Sequence, residues 1–184
     1  MLATLARLAA IPGHESLPAR LGASAVWRES EKDADPFLAL GLCSERWFKQ
    51  ALPVLIEVEA SFDVAGEVMV HDDVRSDNLC FIGERMVLVD WSQALRGHPD
   101  HDKATVLPFL ELEGGPEPYE YMPKGGNWAA RLSAGAAQRA LTEAGDRPEW
   151  LIKVFMRVAA IELRWAARCL DLPLPDGMAW REIE

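Results

Sequence analysis

The chain contains little cysteine and no long apolar run. Its three cysteines, Cys43, Cys80 and Cys169, are far apart and odd in number, so they form neither a CxxC pair nor a disulfide framework. This usage is typical of a reducing cytoplasm. The N-terminus also lacks the charged start, apolar core and cleavage site of a signal peptide, and no apolar run approaches membrane-spanning length. We therefore expect a cytoplasmic protein that has no membrane partner.

The chain also contains fewer basic than acidic side chains. The 184 residues include 19 Lys and Arg against 29 Asp and Glu, which gives a net charge of -10 and a pI of about 4.9. An acidic surface repels phosphate backbones, so we expect no nucleic-acid partner. The same charge would attract a cationic small molecule, although solubility alone also accounts for it. The length and the 49% share of hydrophobic residues are typical of one globular domain.

Helical periodicity covers most of the chain. The predicted helices are 2–10, 44–62 with Ser44 as N-cap and Pro53 inside, 103–112, 128–144, and a long apolar helix that ends near Leu170. Asp146 and Glu149 are expected to form the capping box of that last helix. Residues 172–184 include two prolines and are expected to form an extended tail. The predicted fold class is α+β and mostly helical, in a single domain over residues 1–184.

Two short apolar runs, 79–82 and 86–89, are separated by three residues that include Gly83, which is typical of a β-hairpin. Neither run alternates with polar residues, so we expect both faces to be covered. A turn centred on Glu84 would place Asn78 directly opposite Asp90, with Cβ atoms about 4.5–5.5 Å apart. An amide oxygen and a carboxylate would then point at one spot. Mg²⁺ prefers such hard oxygen ligands and takes the remainder from water and phosphate.

The informative stretch runs from His71 through Asp73 to Asn78 and has the pattern H-x-D-x-x-x-x-N, with Val-Asp-Trp following at 89–91. An Asp five residues before a metal-binding Asn is the layout of phosphoryl-transfer enzymes, in which the Asp accepts the proton of a substrate hydroxyl. The sequence resembles the aminoglycoside phosphotransferase family. That family carries a motif close to H-G-D-x-x-x-x-N followed by I/V-D-W.

The resemblance implies a protein-kinase-like C-terminal lobe with a small catalytic β-hairpin. Asp73 would be the catalytic base or the residue that orients the hydroxyl, and Asn78 and Asp90 would bind Mg²⁺ and, through it, ATP or GTP. His71 is a further candidate of the catalytic loop, for which holding the loop is favoured over chemistry. Asp102 matches the end of a following G-x-x-x-x-D stretch and would be structural. The implied reaction transfers the γ-phosphoryl group to a hydroxyl of a small molecule, which the motif does not specify.

Departures from the family pattern concern the region before His71. Its 70 residues contain no G-x-G-x-x-G, and their only lysines, Lys32 and Lys49, do not lie in a strand pattern such as V-A-I-K. We therefore expect the N-terminal nucleotide-clamping lobe to be absent from this chain and catalysis to be impaired. Three explanations stay open: a true start further upstream, a truncated chain that binds without catalysis, and a partner that supplies the lobe. Such a loss would uncover the surface that faces the other lobe, and this surface would favour self-association. Asp72 also replaces a usual glycine or apolar residue of the motif.

Two other functions fit the sequence. The first is a non-catalytic binding or regulatory lobe, or a truncated pseudoenzyme. The second is a metal-dependent phosphoester hydrolase that uses Asp72, Asp73, His98 and His101. An acidic loop that contains Glu111, Glu113, Glu117 and Glu120 would line a pocket for a cationic substrate if it faced the site, and would otherwise be solvated charge.

Overall fold

A computed structural model describes residues 1–20 and 24–177, and it confirms the predicted α+β, mostly helical class. Within these residues the α-helices are α1 Leu2–Leu8, α2 Val26–Lys32, α3 Asp35–Ala39, α4 Glu45–Ser61, α5 His101–Leu112, α6 Pro118–Tyr121, α7 Gly126–Thr142 and α8 Glu149–Cys169. The strands are β1 Val68–Val70, β2 Leu79–Ile82, β3 Arg85–Leu88 and β4 Leu95–Gly97. No helix in the described ranges combines the length and the apolarity that crossing a bilayer requires.

The described residues form two compact units. The strand unit comprises 1–20 and 63–109 and contains all four strands. The helical unit comprises 24–62 and 110–177. The prediction of a single domain over 1–184 stays a prediction.

The strand unit contains two antiparallel pairs, β1 with β4 and β2 with β3. The segment after α1 also joins β1, because the Met69 amide donates to the Ile11 carbonyl at 2.8 Å. Close approach of the chain near β4 requires a glycine, since a Cβ on Gly66 would overlap the backbone of Gly97. Together β1 and β4 hold the start of the motif at the end of a short ladder.

The β2–β3 hairpin has a different register from the predicted one. Leu79 pairs with Leu88, so the turn contains two residues, and Gly83 begins it with a φ of 61°. A positive φ at the first turn residue is typical of the two-residue turns that close β-hairpins, and glycine adopts it without strain. The prediction that Asn78 lies directly opposite Asp90 is therefore wrong by one residue.

The hairpin is also less covered than expected. Phe81 and Ile82 are each 70% exposed, whereas Leu88 is buried. The prediction that both faces of the hairpin are buried is therefore wrong for the tip, which extends beyond the buried end of β3 at Leu88. Only the base of the hairpin, which leads into Asn78, is well packed.

The helical unit is built around α7 and α8, which share its largest helix–helix contact. Trp27 of α2 is fully buried and joins this pair, because its indole N–H donates to the Ala130 carbonyl at 2.7 Å. Its backbone amide donates to Glu59 of α4 at 3.0 Å. One tryptophan thus connects three helices of the unit.

Helix ends follow the sequence where the signal is local. The Ser44 hydroxyl accepts from the Trp47 amide at 3.1 Å, as predicted for the N-cap of α4, and Pro53 lies inside that helix. The capping box predicted at Asp146 and Glu149 is wrong, because α8 begins directly after Pro148 without a side-chain cap. A capping box instead begins α6, between Glu117 and Glu120.

The described part of the predicted tail, 172–177, contains no helix or strand. It binds the start of α4. The Pro173 carbonyl accepts from the Trp47 indole at 2.7 Å, and the Asp176 carboxylate accepts from the amide and hydroxyl of Ser44, also at 2.7 Å. Residues 178–184 of the predicted tail lie outside the described residues.

Glu162 of α8 gives a prediction for stability against pH. Its side chain is 3% exposed, and Oε2 has no hydrogen-bond partner. Burial raises the pKa of this carboxyl well above its ordinary value of 4.5. The folded state therefore keeps its proton where the unfolded state has lost it, so the free energy of unfolding falls as pH rises above that ordinary value.

We expect Glu162→Gln to be more stable than the parent at pH 8, with a difference that shrinks towards pH 4. Urea unfolding at several pH values measures this. Glu149→Gln, at an 86% exposed position in the first turn of the same helix, is the control and should show no such trend. A difference between Glu162→Gln and the parent that does not change with pH would contradict the prediction.

Candidate active site

His71 connects the end of β1 to the segment that follows β3. The side chain is fully buried. Its Nε2 lies 2.9 Å from the Val89 carbonyl, which accepts the hydrogen bond, and its ring packs edge-on against Trp91 with centroids 4.6 Å apart. Because both contacts are to residues that flank Asp90, His71 fixes that segment against the catalytic loop. This is the contact pattern of a residue that holds the loop.

Asp102, in the first turn of α5, binds the backbone of the loop. Its Oδ2 accepts from the His71 amide at 2.8 Å, and its Oδ1 accepts from the Asp72 amide at 2.9 Å. The residue is 5% exposed. A buried carboxylate needs such donors to offset its desolvation, and here both oxygens have one. The predicted structural role of Asp102 matches these contacts.

Asp72 has an unusual backbone conformation, with a φ of 62°. The left-handed region costs a non-glycine residue about 1–2 kcal/mol, although Asp tolerates it better than most. Its carboxylate accepts from His101 Nε2 at 2.6 Å and from Arg20 Nη1 at 3.0 Å. These partners offset its charge beside Asp73. The sequence did not predict either contact.

Asp73 and Asn78 are in direct contact. The Asn78 side-chain amide donates both to the Asp73 carbonyl and to Asp73 Oδ2, each at 2.9 Å. The other carboxylate oxygen, Oδ1, lies 3.0 Å from Arg75 Nε. The Asp73 side chain is 30% exposed, whereas Asn78 is buried. The carboxylate is thus fixed in orientation and still open to solvent.

Asp90 follows β3 in a left-handed conformation, with a φ of 58°. Its carboxylate accepts from Ser92, and these hydrogen bonds, first from the hydroxyl and then from the amide, lower the pKa of Asp90. The group is therefore ionised at neutral pH. The structure joins Asp90 to Asn78 through the neighbouring backbone, because the Val89 amide donates to the Asn78 carbonyl at 3.0 Å.

The donor set fits a magnesium ion. Both amide hydrogens of Asn78 are directed to Asp73, so its metal ligand would be Oδ1. Asp90 supplies an ionised and exposed carboxylate. Two hard oxygens from the protein, with phosphate and water completing the shell, are what Mg²⁺ usually takes.

The arrangement of the side chains does not support the alternative of a metal-dependent phosphoester hydrolase. His101 is 2% exposed and bonded to Asp72, so it does not face an open metal position. In the part of the chain that the structure describes, no group of three or more His, Cys, Asp or Glu side chains is placed to hold a metal ion.

Two carboxylates of the acidic loop have partners in the helical unit. Glu111 forms an ion pair with Arg164, and Glu117 forms one with Arg168. Burial is the main cause that raises the pKa of Glu111, and the arginine acts against it. These two carboxylates therefore already have cationic partners within the chain.

Arg75 is a further candidate residue at the site. It contacts both Asp73 and Asp77, the second at 3.4 Å. A guanidinium that lies against the proposed base supplies positive charge where a phosphoryl group would react. Its position two residues after Asp73 is the signal that could have identified it.

The α+β, mostly helical fold is consistent with a kinase-like lobe. The model of the phosphotransferase enzyme family, APH, matches residues 1–141 of the chain, a range that contains Asp73, Asn78 and Asp90. The chain belongs to this family, as the resemblance indicated. No curated protein and no solved structure gives a significant match to it.

Proposed function

We propose that this chain moves the γ-phosphoryl group of ATP or GTP to a hydroxyl of a small molecule. In this proposal Asp73 orients the hydroxyl and accepts its proton, while Asn78 and Asp90 hold Mg²⁺. The observation that carries it is the direct contact of Asp73 with Asn78, in which two hydrogen bonds fix the base against the proposed metal ligand. This arrangement matches the positioning that phosphoryl transfer requires.

The chemistry of each side chain follows from its environment. Asp73 has one oxygen bonded to Asn78 and the other to Arg75, so its position is defined before a substrate arrives. Arg75 places a positive charge beside the reacting groups. A bound Mg²⁺ would neutralise charge on the transferred phosphate. His71 and Asp102 hold the loop and take no part in the chemistry.

Our proposal includes low turnover for this chain alone. Residues 1–70 contain no glycine-rich phosphate loop and no V-A-I-K lysine, so the phosphate contacts would come mainly from the metal site. Self-association through the surface that faces the other lobe stays a prediction. A small-molecule acceptor, a cytoplasmic location and the lack of a nucleic-acid partner stay predictions.

Thermal unfolding with Mg²⁺ and ATP tests the nucleotide site. ATP at about 100 times its dissociation constant adds roughly 2.7 kcal/mol, which raises Tm by about 5–10 °C for a chain of this size. We expect that rise to require Mg²⁺ and to vanish in Asp90→Ala. Asp100→Ala, at an exposed carboxylate of the same unit, is the control and should keep the rise.

An equal rise in Asp90→Ala, or a rise without Mg²⁺, would contradict the proposed metal role of Asp90. No rise in the folded parent would favour the alternative of a non-catalytic lobe. If the rise in Tm requires Mg²⁺ and vanishes in Asp90→Ala, the next experiment is a screen of aminoglycosides, choline, sugars and homoserine as acceptors.

A further inference from the structure

The residue directly before Asp73 is held by three side chains from outside the motif. The Asp72 backbone amide donates to the Asp102 carboxylate, and the Asp72 carboxylate accepts from His101 and Arg20. All these residues belong to the strand unit. Asp72 also has the positive φ of 62°, which an L-residue adopts at a cost. A strained residue with this many partners, next to a candidate base, calls for a functional explanation.

His101 is the most buried of these partners, with 2% of its surface exposed. The carboxylate oxygen Asp72 Oδ1 accepts the hydrogen bond from His101 Nε2 across 2.6 Å. His101 and Asp102 are consecutive residues at the start of α5. One therefore holds the side chain of Asp72 while the other holds its backbone, and both do so from the same helix.

The conformation of Asp72 determines where Asp73 lies. The peptide between the two residues carries the Asp73 carboxylate towards the Asn78 amide, which it meets at 2.9 Å. If Asp72 relaxed to a negative φ, that peptide would turn and the contact would be lost. A glycine at this position would keep the positive φ without any help from a side chain.

We propose that His101 is a positioning residue that acts on Asp73 through Asp72. Its hydrogen bond keeps Asp72 in the left-handed conformation, and this conformation places Asp73 against Asn78. The inference rests on the proposed function for the role of Asp73, although the positioning itself can be measured without turnover.

The test uses the side-chain amide of Asn78 as the reporter of position. The chain has two asparagines, Asn78 and Asn127, so ¹⁵N-asparagine labelling gives two side-chain signals. Asn127 lies in the helical unit and serves as the internal control. In the parent, we expect the Asn78 amide hydrogens to be shifted and protected from exchange because both are directed to Asp73.

His101→Ala is expected to move the Asn78 signal towards the position of a free amide. Its hydrogen exchange should accelerate by about tenfold or more, and Asn127 should not change. Asp72→Gly combined with His101→Ala should restore the Asn78 signal, because glycine needs no bridge at this position. His101→Gln, which keeps a donor, should restore it in part. Asp72→Ala keeps His101 but removes the carboxylate that His101 binds, so it should behave like His101→Ala. If His101→Ala does not fold, Asp72→Ala takes its place in the test.

An unchanged Asn78 signal in both His101→Ala and Asp72→Ala would overturn the inference. So would a double variant as disturbed as His101→Ala, because a merely structural role for His101 would not be rescued by glycine. In a preparation with turnover, His101→Ala should lower kcat on the order of 10- to 100-fold and leave the nucleotide KM nearly unchanged. If Asp73→Asn leaves turnover intact, the proposed function is wrong. The Asn78 side-chain signal still shows whether His101 positions Asp73.

Discussion

Replacing Asp73 by Asn should lower phosphotransfer by about 10²- to 10⁴-fold, the usual contribution of a positioned general base. The amide keeps the size of the carboxylate and can still accept from Asn78 through its oxygen, but it cannot take a proton from a hydroxyl. The ion pair with Arg75 is partly exposed, so its loss should cost about 1 kcal/mol or less. Activity should therefore fall while the fold remains.

Transfer of ³²P from [γ-³²P]ATP to the best acceptor of the screen measures the effect, and urea unfolding checks the fold. Asp77→Asn is the matched control. It changes a carboxylate that also contacts Arg75 but is 65% exposed and lies outside the predicted roles. Equal turnover in Asp73→Asn and the parent would remove Asp73 from the mechanism. Equal losses in both variants would attribute the effect to Arg75 instead.

A second large effect is expected for stability. Asp102→Asn should lower the free energy of unfolding by about 3 kcal/mol, because one of two hydrogen bonds to a buried charged acceptor is lost. The new amide group would also place a donor against a backbone donor, that of His71 or that of Asp72. The residue is too buried for water to replace the missing acceptor.

Asp100→Asn is an isosteric control two residues earlier, at a side chain that is 53% exposed. It should change stability by no more than about 0.5 kcal/mol. Chemical unfolding of both variants at neutral pH makes the comparison. If the two substitutions cost the same, the loop would not depend on Asp102, and the structural role assigned to it would be wrong.

Local spacing made the core of the site predictable. Asp73 and Asn78 are five residues apart, so the loop between them brings them together with little help from the rest of the chain. The N-cap at Ser44 was predictable for the same reason, since it bonds the amide only three residues later. The roles of Asp73, Asn78 and Asp90 in chemistry remain predictions that the experiments above address.

Contacts between distant parts of the chain were not predictable. Asp72 meets Arg20 across 52 residues and His101 across 29, and no pattern in the sequence pairs them. The hairpin register depended on one backbone angle, because Gly83 closes a two-residue turn where three residues were expected. A shift of one position moved the partner of Asn78 from Asp90 to Val89.

The division of the chain into interleaved segments bears on how it is made. The strand unit closes its loop only after Asp102 has left the ribosome, because that residue binds the amide of His71. The contacts of the helical unit are completed later in synthesis, because Ser44 binds Asp176, which lies 132 residues further along the chain. Such distant pairings fold slowly, because loop closure costs entropy before the contacts form. Neither unit can therefore be expressed as one continuous stretch of this sequence. A protein that contains one unit alone requires a new linker between two segments that are separated in the chain.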